Sequence, residues 1–465
     1  MTDGAVQTLR SVNPARPDEI VAEVAVLSTN ETDSVLDRSR GAAKEWAAAG
    51  PRRVAALGSF AAALEQREDS LADLIMREVG KPLAEARGEV ARAASILRYF
   101  AQRALDPEAV TYPSPDGASE LVARRTPLGT VLLVCPWNFP LAIPIWKAAP
   151  ALAFGNSVLL KPAGPAIGVA SVIAECATES LPSGVLEVTF VRGCDLGPLL
   201  DDERVDGVSF TGSTEVGHDL IARSAGRGVP VQAEMGGHNA AVVLDDADVA
   251  RAADAIVAGA TGYAGQKCTA TRRVVTVPDV HQSLIEAICS RWGELGVGDP
   301  AKDSNQVGPL IDARAVEDFE AAVTAGLDQG GTLLARTEVS AGDGHFVSPV
   351  FIGLDDPQAT VNQEETFGPL LTVLAAADTA DAVRIANSTR FGLVAAVHGR
   401  DLNRAATVAK ELDCGMQRVN TATTGVDFYA PFGGAGVSSY GPREQGEAAR
   451  EFFTEWRTIT VAPVE

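Results

Sequence analysis

The sequence predicts an α/β protein with two doubly wound, largely parallel sheets, and three observations carry that expectation. From Thr130 to Glu234 short apolar stretches alternate with segments of helical periodicity, the rhythm of a parallel sheet covered by helices on both faces. A second block with the same rhythm runs from near Gly236 to Leu412, around a loop-rich middle. At 465 residues the chain is also too long for one simple core, so two or three domains are expected.

The first hundred residues read as helices. Apolar residues recur at three- and four-residue spacing over Glu31–Ala49, Arg52–Glu68 and Leu71–Val79, with Gly50-Pro51 and Gly80 as punctuation. A longer helix, from about Leu83 to Ala104, carries Arg87, Arg92, Arg98 and Arg103. Pro107 to Gly117 reads as loop, and Leu121–Arg125 alternates like an exposed or edge strand. In the first block the strands are Thr130–Cys135, Ser157–Leu160, Leu186–Val191, Val208–Thr211 and Val229–Glu234, with helices over Phe139–Ala153, Ile167–Ser180 and Glu215–Ala225. In the second they are Ala240–Leu244, Arg273–Val277, Leu371–Leu374 and Val394–Val397, with helices over Asp248–Thr261, His281–Leu295, Asp378–Asn387 and Leu402–Leu412. The alternating Thr458-Ile459-Thr460-Val461 predicts a last strand whose edge invites another subunit.

A net charge of −22, from 39 basic and 61 acidic residues, disfavours nucleic acid and anionic membranes as partners. The six cysteines are widely spaced with no Cys-x-x-Cys pair, which fits a reducing, cytoplasmic interior better than a disulfide framework. The five histidines show no metal-type spacing, and no metal site is expected. The amino terminus is polar and carries no apolar signal segment, and the longest apolar run is broken by Pro150, Gly155 and Asn156.

Ligands of parallel sheets bind beyond the carboxyl ends of the strands, and five polar strings fall at such places. In Pro136-Trp137-Asn138-Phe139-Pro140 the prolines fix the backbone and leave Asn138 as the hydrogen-bonding side chain, an oxyanion donor or else a helix cap. Lys161 closes a buried strand, suited to ribose or phosphate oxygens or to snorkelling at the surface. Thr211-Gly212-Ser213-Thr214 runs from strand to helix and offers free N–H groups to an anion, or a plain serine cap. Glu234-Met235-Gly236-Gly237 puts a carboxylate at a half-buried strand end, where its pKa rises toward that of a general base, with glycines that admit another backbone or a ligand. Finally Cys268, in Thr261–Thr271, lies among small polar residues beside Lys267, a setting for an activatable thiolate. No G-x-G-x-x-G or Walker-type loop occurs.

This order of Asn, Lys, Gly-Ser, Glu and Cys resembles the aldehyde dehydrogenase superfamily, over essentially the whole chain. Glu364-Glu365-Thr366-Phe367-Gly368-Pro369, Asn387 with Phe391-Gly392-Leu393, and Pro431-Phe432-Gly433-Gly434 match it too. The resemblance implies a cofactor domain (residues 1–109 and 129–236), a catalytic domain (237–445) and a small β oligomerisation flap (110–128 and 446–465) that makes homodimers or homotetramers. It implies Cys268 as nucleophile, a thiohemiacetal held by Asn138 and the Cys268 N–H, hydride transfer to a nicotinamide, and a thioester hydrolysed by water that Glu234 activates. Lys267 and Glu234 are the candidate aids to the thiolate. By the same likeness Lys161 contacts the adenosine ribose, Gly212 and Ser213 the pyrophosphate, Glu365 the nicotinamide ribose and Phe367 the nicotinamide. Met235 and Gly236 line the cofactor site, and Trp137 lies near the cofactor's adenine-side path.

Three positions depart from the pattern. Gly164 stands where relatives that use NAD commonly carry glutamate, so the resemblance implies NADP or NAD, with NADP acceptable. His238 replaces a usual lysine, and Gln417-Arg418-Val419-Asn420 lacks the usual tryptophan. For the substrate, residues 138–147, 418–428 and 438–446 resemble the branch that oxidises 2-oxoglutarate semialdehyde (2,5-dioxopentanoate). An anionic aldehyde calls for a cation, for which Arg92 and Arg98 are candidates, with Phe432 a further substrate contact. Succinate semialdehyde and a broad range of aliphatic or aromatic aldehydes are the alternatives. Glu234 argues against a CoA-acylating member, and its presence with Cys268 and Asn138 against a non-catalytic one.

Overall fold

Two sheets of mainly parallel strands organise the chain in a computed structural model that describes residues 7–339 and 342–463. The first six and last two residues of the outer segments assigned above lie outside that description. The first sheet has six strands in the order 439–440, 231–234, 207–211, 130–134, 157–161 and 186–188. All its pairings are parallel except that of Ser439-Tyr440 with Ala233-Glu234. The second has seven strands in the order 332–336, 350–353, 370–375, 271–276, 239–243, 394–398 and 416–419, antiparallel only at its first pairing. Its central strand Thr271–Thr276 is buried along its whole length, as a strand covered on both faces must be.

Four helices precede the first sheet: α1 (Thr29–Ala47), α2 (Arg52–Glu65), α3 (Glu68–Val79) and α4 (Leu83–Arg103). Ser28 and Glu31 cap α1 reciprocally, which fixes its start two residues before the expected one. Gly80 ends α3 at φ 69°, where a Cβ would stand 2.6 Å from the Pro309 ring. The next helix, α5 (Ala142–Ala153), begins three residues later than Phe139. The Glu89 carboxylate of α4 explains this by accepting from the Leu141 and Ala142 N–H groups at 3.0 and 2.9 Å. It supplies the α5 cap, and the α5 end is favourable for a negative charge.

Several expectations need correcting. The polar amino terminus forms a hairpin, Thr8–Asn13 with Arg16–Ala25, which the helical search passed over. Its burial alternates only weakly, and it is tied down by the Ser11 hydroxyl donating to buried Glu78 at 2.6 Å. Ala109–Pro113, expected as loop, is a strand; it is exposed at every position, its alternating Val110 and Tyr112 included. Glu120–Pro127 is the middle strand of the three-stranded flap rather than an edge, because Thr454–Val461 of the same chain pairs along its other side. Among the described residues the outer edges of Thr454–Val461 and of Ala109–Pro113 are both left unpaired. The loop-rich middle holds a helix, Ala313–Asp328, and strand Val350–Gly353. Among the described residues no helix is long and apolar enough to cross a membrane, and no group of three or more His, Cys, Asp or Glu side chains could hold a metal.

Candidate active site

Cys268 lies in a short loop between helix Val249–Thr261 and strand Thr271–Thr276. The chain enters this loop through Tyr263 and Ala264, two buried residues at φ 52°. Non-glycine residues in the left-handed region cost energy and persist only where their surroundings over-determine them. Here Tyr263 donates its hydroxyl to the Val79 carbonyl at 2.8 Å and its N–H to Glu85 at 2.9 Å. Beyond Cys268, Asn239 donates to both the Cys268 and Ala270 carbonyls at 2.8 Å. Apart from a contact to its own thiol, the Cys268 N–H has no acceptor among the described residues. It is therefore free to donate to a ligand.

The two glycines after Met235 explain how strand Val231–Glu234 meets this loop. A Cβ on Gly237 would stand 2.4 Å from the Cys268 carbonyl, and one on Gly236 would stand 2.2 Å from a Glu365 oxygen. Glu365 also accepts from the Gly237 N–H at 3.1 Å. Glu234 points into a network that the sequence reading did not include. Its carboxylate accepts from Ser439 on the neighbouring strand, and Glu444 stands close by, held by Lys147 and by Trp146 Nε1. Lys147 also donates to the Phe210 carbonyl at 3.1 Å. Burial, and then the Glu444 charge, hold the Glu234 carboxyl well above the usual carboxylate range. The string at residues 438–446 marked this region, but its residues gave no sign of facing Glu234.

Asn138 is no helix cap. Its Nδ2 donates to the carbonyl of Gln266 at 3.0 Å, two residues before Cys268, while its Oδ1 is buried without a partner. One amide hydrogen thus fastens Asn138 to the nucleophile loop, and the second remains to donate. The Cys268 thiol is pushed up to about 12 by burial and by the Glu365 and Glu234 charges. The charge of Glu234 therefore disfavours the thiolate, so any aid it gives is as a proton acceptor and not as a charge. Lys267 does not aid the thiolate, because its ammonium pairs with Glu85 at 2.7 Å.

The cofactor-binding candidates divide between two places. Lys161 ends its strand 7% exposed, with no hydrogen-bond or ion-pair partner among the described residues, and burial lowers its pKa. At Gly164 a Cβ would meet nothing within 4 Å. Gly212 has the opposite reason to be glycine, since a Cβ there would stand 2.5 Å from the Phe210 ring. Ser213 caps helix Thr214–Ala225 by accepting from the Val216 N–H, so the bland reading of its side chain is correct. Met235 is buried against Gly217. An orphaned buried ammonium and a glycine that keeps the strand–helix turn open both fit a dinucleotide phosphate and ribose.

Trp137 stacks edge-on against Phe367, with ring centroids 5.7 Å apart. That contact makes Trp137 and Phe367, both assigned to the cofactor, neighbours. Phe432 is 7% exposed and packs 5.3 Å from Trp146, so its ring is part of the core that borders the site. The useful member of its motif is Gly433, where a Cβ would stand 2.8 Å from Glu234 Oε1. Arg98 pairs with Glu65 of α2, whereas Arg92 donates to the Val426 carbonyl and has no carboxylate partner among the described residues. Of the two, only Arg92 touches the 418–428 segment. His238 is buried beside Arg272 and Arg273, and burial and those charges keep it neutral. A lysine there would add a third buried cation.

A thiol, an amide donor and a raised carboxyl converging at strand ends define a site for covalent acyl chemistry. The chain belongs to the aldehyde dehydrogenase family, whose family model matches residues 1–459, and it is an NAD(P)-dependent aldehyde dehydrogenase. It is 36% identical over 458 residues to the alpha-ketoglutaric semialdehyde dehydrogenase of Bacillus subtilis, covering 97% of this chain and 94% of that one. It is also 36% identical to the alpha-ketoglutarate semialdehyde dehydrogenase of Haloferax volcanii, covering 99% of this chain and 96% of that one. Among solved structures, an Escherichia coli protein described as an NADP dependent enzyme superposes with a TM-score of 0.94 at 32% identity, covering 98% of this chain and 95% of that one.

Proposed function

We propose that this enzyme oxidises a short anionic semialdehyde, of the 2-oxoglutarate semialdehyde kind, to the dicarboxylate, with Cys268 as nucleophile and Asn138 and Glu234 as its partners. The observation that carries the catalytic assignment is the tie between Asn138 and the Cys268 loop, which leaves one amide hydrogen and the Cys268 N–H free together. Cys268 adds to the aldehyde carbon, and these two donors receive the oxyanion. When bound, NAD(P)+ supplies the hydride acceptor and a positive charge near the thiol. Glu234 then takes a proton from the water that cleaves the thioester, and its raised pKa makes it a strong enough base for that step.

Lys161, Gly212, Ser213, Met235, Gly236, Glu365, Phe367 and Trp137 would hold the dinucleotide. The open space at Gly164 and the absence of a carboxylate there favour acceptance of NADP. Arg92 is the candidate anchor for the substrate carboxylate. Residues 1–109 and 129–236 form the cofactor domain in this reading and 237–445 the catalytic domain. The outer edge of Thr454–Val461, with Trp456, Ile459 and Val461 exposed, is the surface for a homodimer or homotetramer. The substrate reading rests on likeness to relatives whose names carry that activity. Its test is turnover of 2-oxoglutarate semialdehyde, succinate semialdehyde and neutral aldehydes with each cofactor. A neutral aldehyde with the highest kcat/KM would overturn it.

A further inference from the structure

Between α3 and α4 the chain carries Lys81, a lysine that is 0% exposed. Its ammonium pairs with Glu89, one carboxylate oxygen of which accepts from the Leu141 and Ala142 N–H groups. The same ammonium stands 3.7 Å from the centroid of the Phe139 ring and 4.6 Å from that of Tyr263. Phe139 directly follows Asn138. Tyr263 is one of the two left-handed residues that lead into the Cys268 loop. The two rings also meet each other edge-on, 6.4 Å apart. Nearby on α4, Glu85 holds the Tyr263 N–H and the Lys267 ammonium with its two oxygens. One helix junction thus fastens both loops, and Lys81 is wedged against both at once.

Resting on the reading that Asn138 and Cys268 act on the same aldehyde oxygen, we propose that Lys81 is a positioning residue. Held by Glu89, it fixes the distance between the Asn138 amide and the Cys268 loop. A fully buried lysine is a costly way to fill space. Replacing a buried ion pair by apolar groups of similar volume is often neutral or stabilising, so stability alone gives this pair little reason to exist. Geometry gives it one. The two oxyanion donors come from loops far apart in sequence, and a misplacement of about 1 Å at reacting groups costs on the order of 10²-fold in rate. An ammonium between two ring faces attracts both and resists compression, so it holds the loops at one separation. The Asn138–Gln266 hydrogen bond joins the loops but can follow either if they drift.

The test compares the full-length Lys81→Met, Glu89→Gln, Lys81→Met/Glu89→Gln and Asn138→Ala enzymes and the Lys81→Met/Asn138→Ala combination. It reads the thermal midpoint, NADPH binding by nucleotide fluorescence, the rate of Cys268 alkylation by iodoacetamide, and kcat and KM for the aldehyde. In Lys81→Met NADPH affinity is expected to stay near that of the parent enzyme, while kcat falls roughly 10- to 100-fold with KM changed less than about threefold. The midpoint falls, because Glu89 is left buried without its cation, and recovers in Lys81→Met/Glu89→Gln while the loss in kcat remains. In the Asn138→Ala background the same substitution is expected to cost less than about threefold, because its effect runs through that amide. Losses that multiply independently overturn the proposal, as does a fall in kcat that tracks lost NADPH binding or that recovers together with the midpoint in Lys81→Met/Glu89→Gln. Full activity in Asn138→Ala sinks the oxyanion reading and this proposal together. An impaired Asn138→Ala enzyme beside an unimpaired Lys81→Met enzyme sinks this proposal alone. Where Lys81→Met does not fold, Glu89→Gln carries the same comparison, since its amide oxygen still accepts from the α5 N–H groups while releasing its charge from Lys81.

Discussion

The two ends of the site assigned to cofactor and substrate are built on opposite plans. Around Cys268 the polar groups are tied to the protein itself: Asn138 to Gln266, Glu234 to Ser439, Glu365 to Gly237 and the Cys268 carbonyl to Asn239. At the far end Lys161 is buried with no partner among the described residues, and Gly164 opens onto space that a Cβ would leave unfilled. Reacting groups gain from being fixed beforehand, because reorganising them during the reaction would add to the barrier. A binding group gains from being left vacant, because the ligand then relieves its desolvation. Burial also holds the groups at the first end in unreactive protonation states. Cys268 sits near about 12, and Glu234 and Glu365 are raised, Glu365 to about 7. A positive ligand charge beside the thiol would favour its ionisation.

The sharpest way to break this contrast is at the fixed end. Cys268→Ala is expected to lower NAD(P)H production by roughly 10⁴-fold or more, since removing one member of a nucleophilic unit removes nearly all its effect. A continuous absorbance assay with the aldehyde reads it, and surviving turnover rejects the nucleophile. Asn138→Ala should cost about 10²- to 10³-fold in kcat, the usual loss for one oxyanion donor, with cofactor affinity unchanged.

A pH profile separates Glu234 from its neighbours. Its proton is held above the usual carboxylate range, so it is protonated at low pH and cannot accept from water. Hydrolysis should therefore rise with pH as the proton is lost. In Glu234→Gln that limb should vanish. A limb that persists assigns the base elsewhere.

Smaller effects belong to the binding groups. Arg92→Ala should raise KM for an anionic aldehyde about tenfold, as expected for loss of a charge-assisted hydrogen bond, and leave a neutral aldehyde alone. Equal changes for both aldehydes remove Arg92 as the anchor. Arg98→Ala should change neither, and as a half-exposed pair with Glu65 it should cost less than about 1 kcal/mol of stability. Gly164→Glu should shift the ratio of NADP to NAD affinity toward NAD by roughly tenfold, because a carboxylate would repel a 2′-phosphate across open space. Competition binding of the two nucleotides reads that ratio.

How far the sequence carried this account follows from which signals are local. Strand–helix alternation, Gly80, and the glycines beside Cys268 and Glu234 were legible because each marks its own neighbourhood. The amino-terminal hairpin and strand Ala109–Pro113 were not, because their alternating apolar residues (Ile20, Ala22 and Val24; Val110 and Tyr112) form short runs beside prolines and stay at least partly exposed in the fold. Long-range pairs stayed hidden for another reason. Lys267 reads as a neighbour of the thiol until the fold brings Glu85 to it across 182 positions. Ser439, Glu444 and Lys147 gather around Glu234 only after two sheet strands pair. Phe432 read as a site residue because its motif faces the site, although the motif does so through Gly433.

The central claim is that Cys268 carries the acyl group and Glu234 releases it. Intact-protein mass spectrometry of the Glu234→Gln enzyme, mixed with 2-oxoglutarate semialdehyde and NADP, tests it directly. The account predicts a burst of NADPH and a stable mass increase equal to the acyl group, which maps to Cys268 after digestion. An unmodified Cys268 with turnover matching that of the parent enzyme would contradict it.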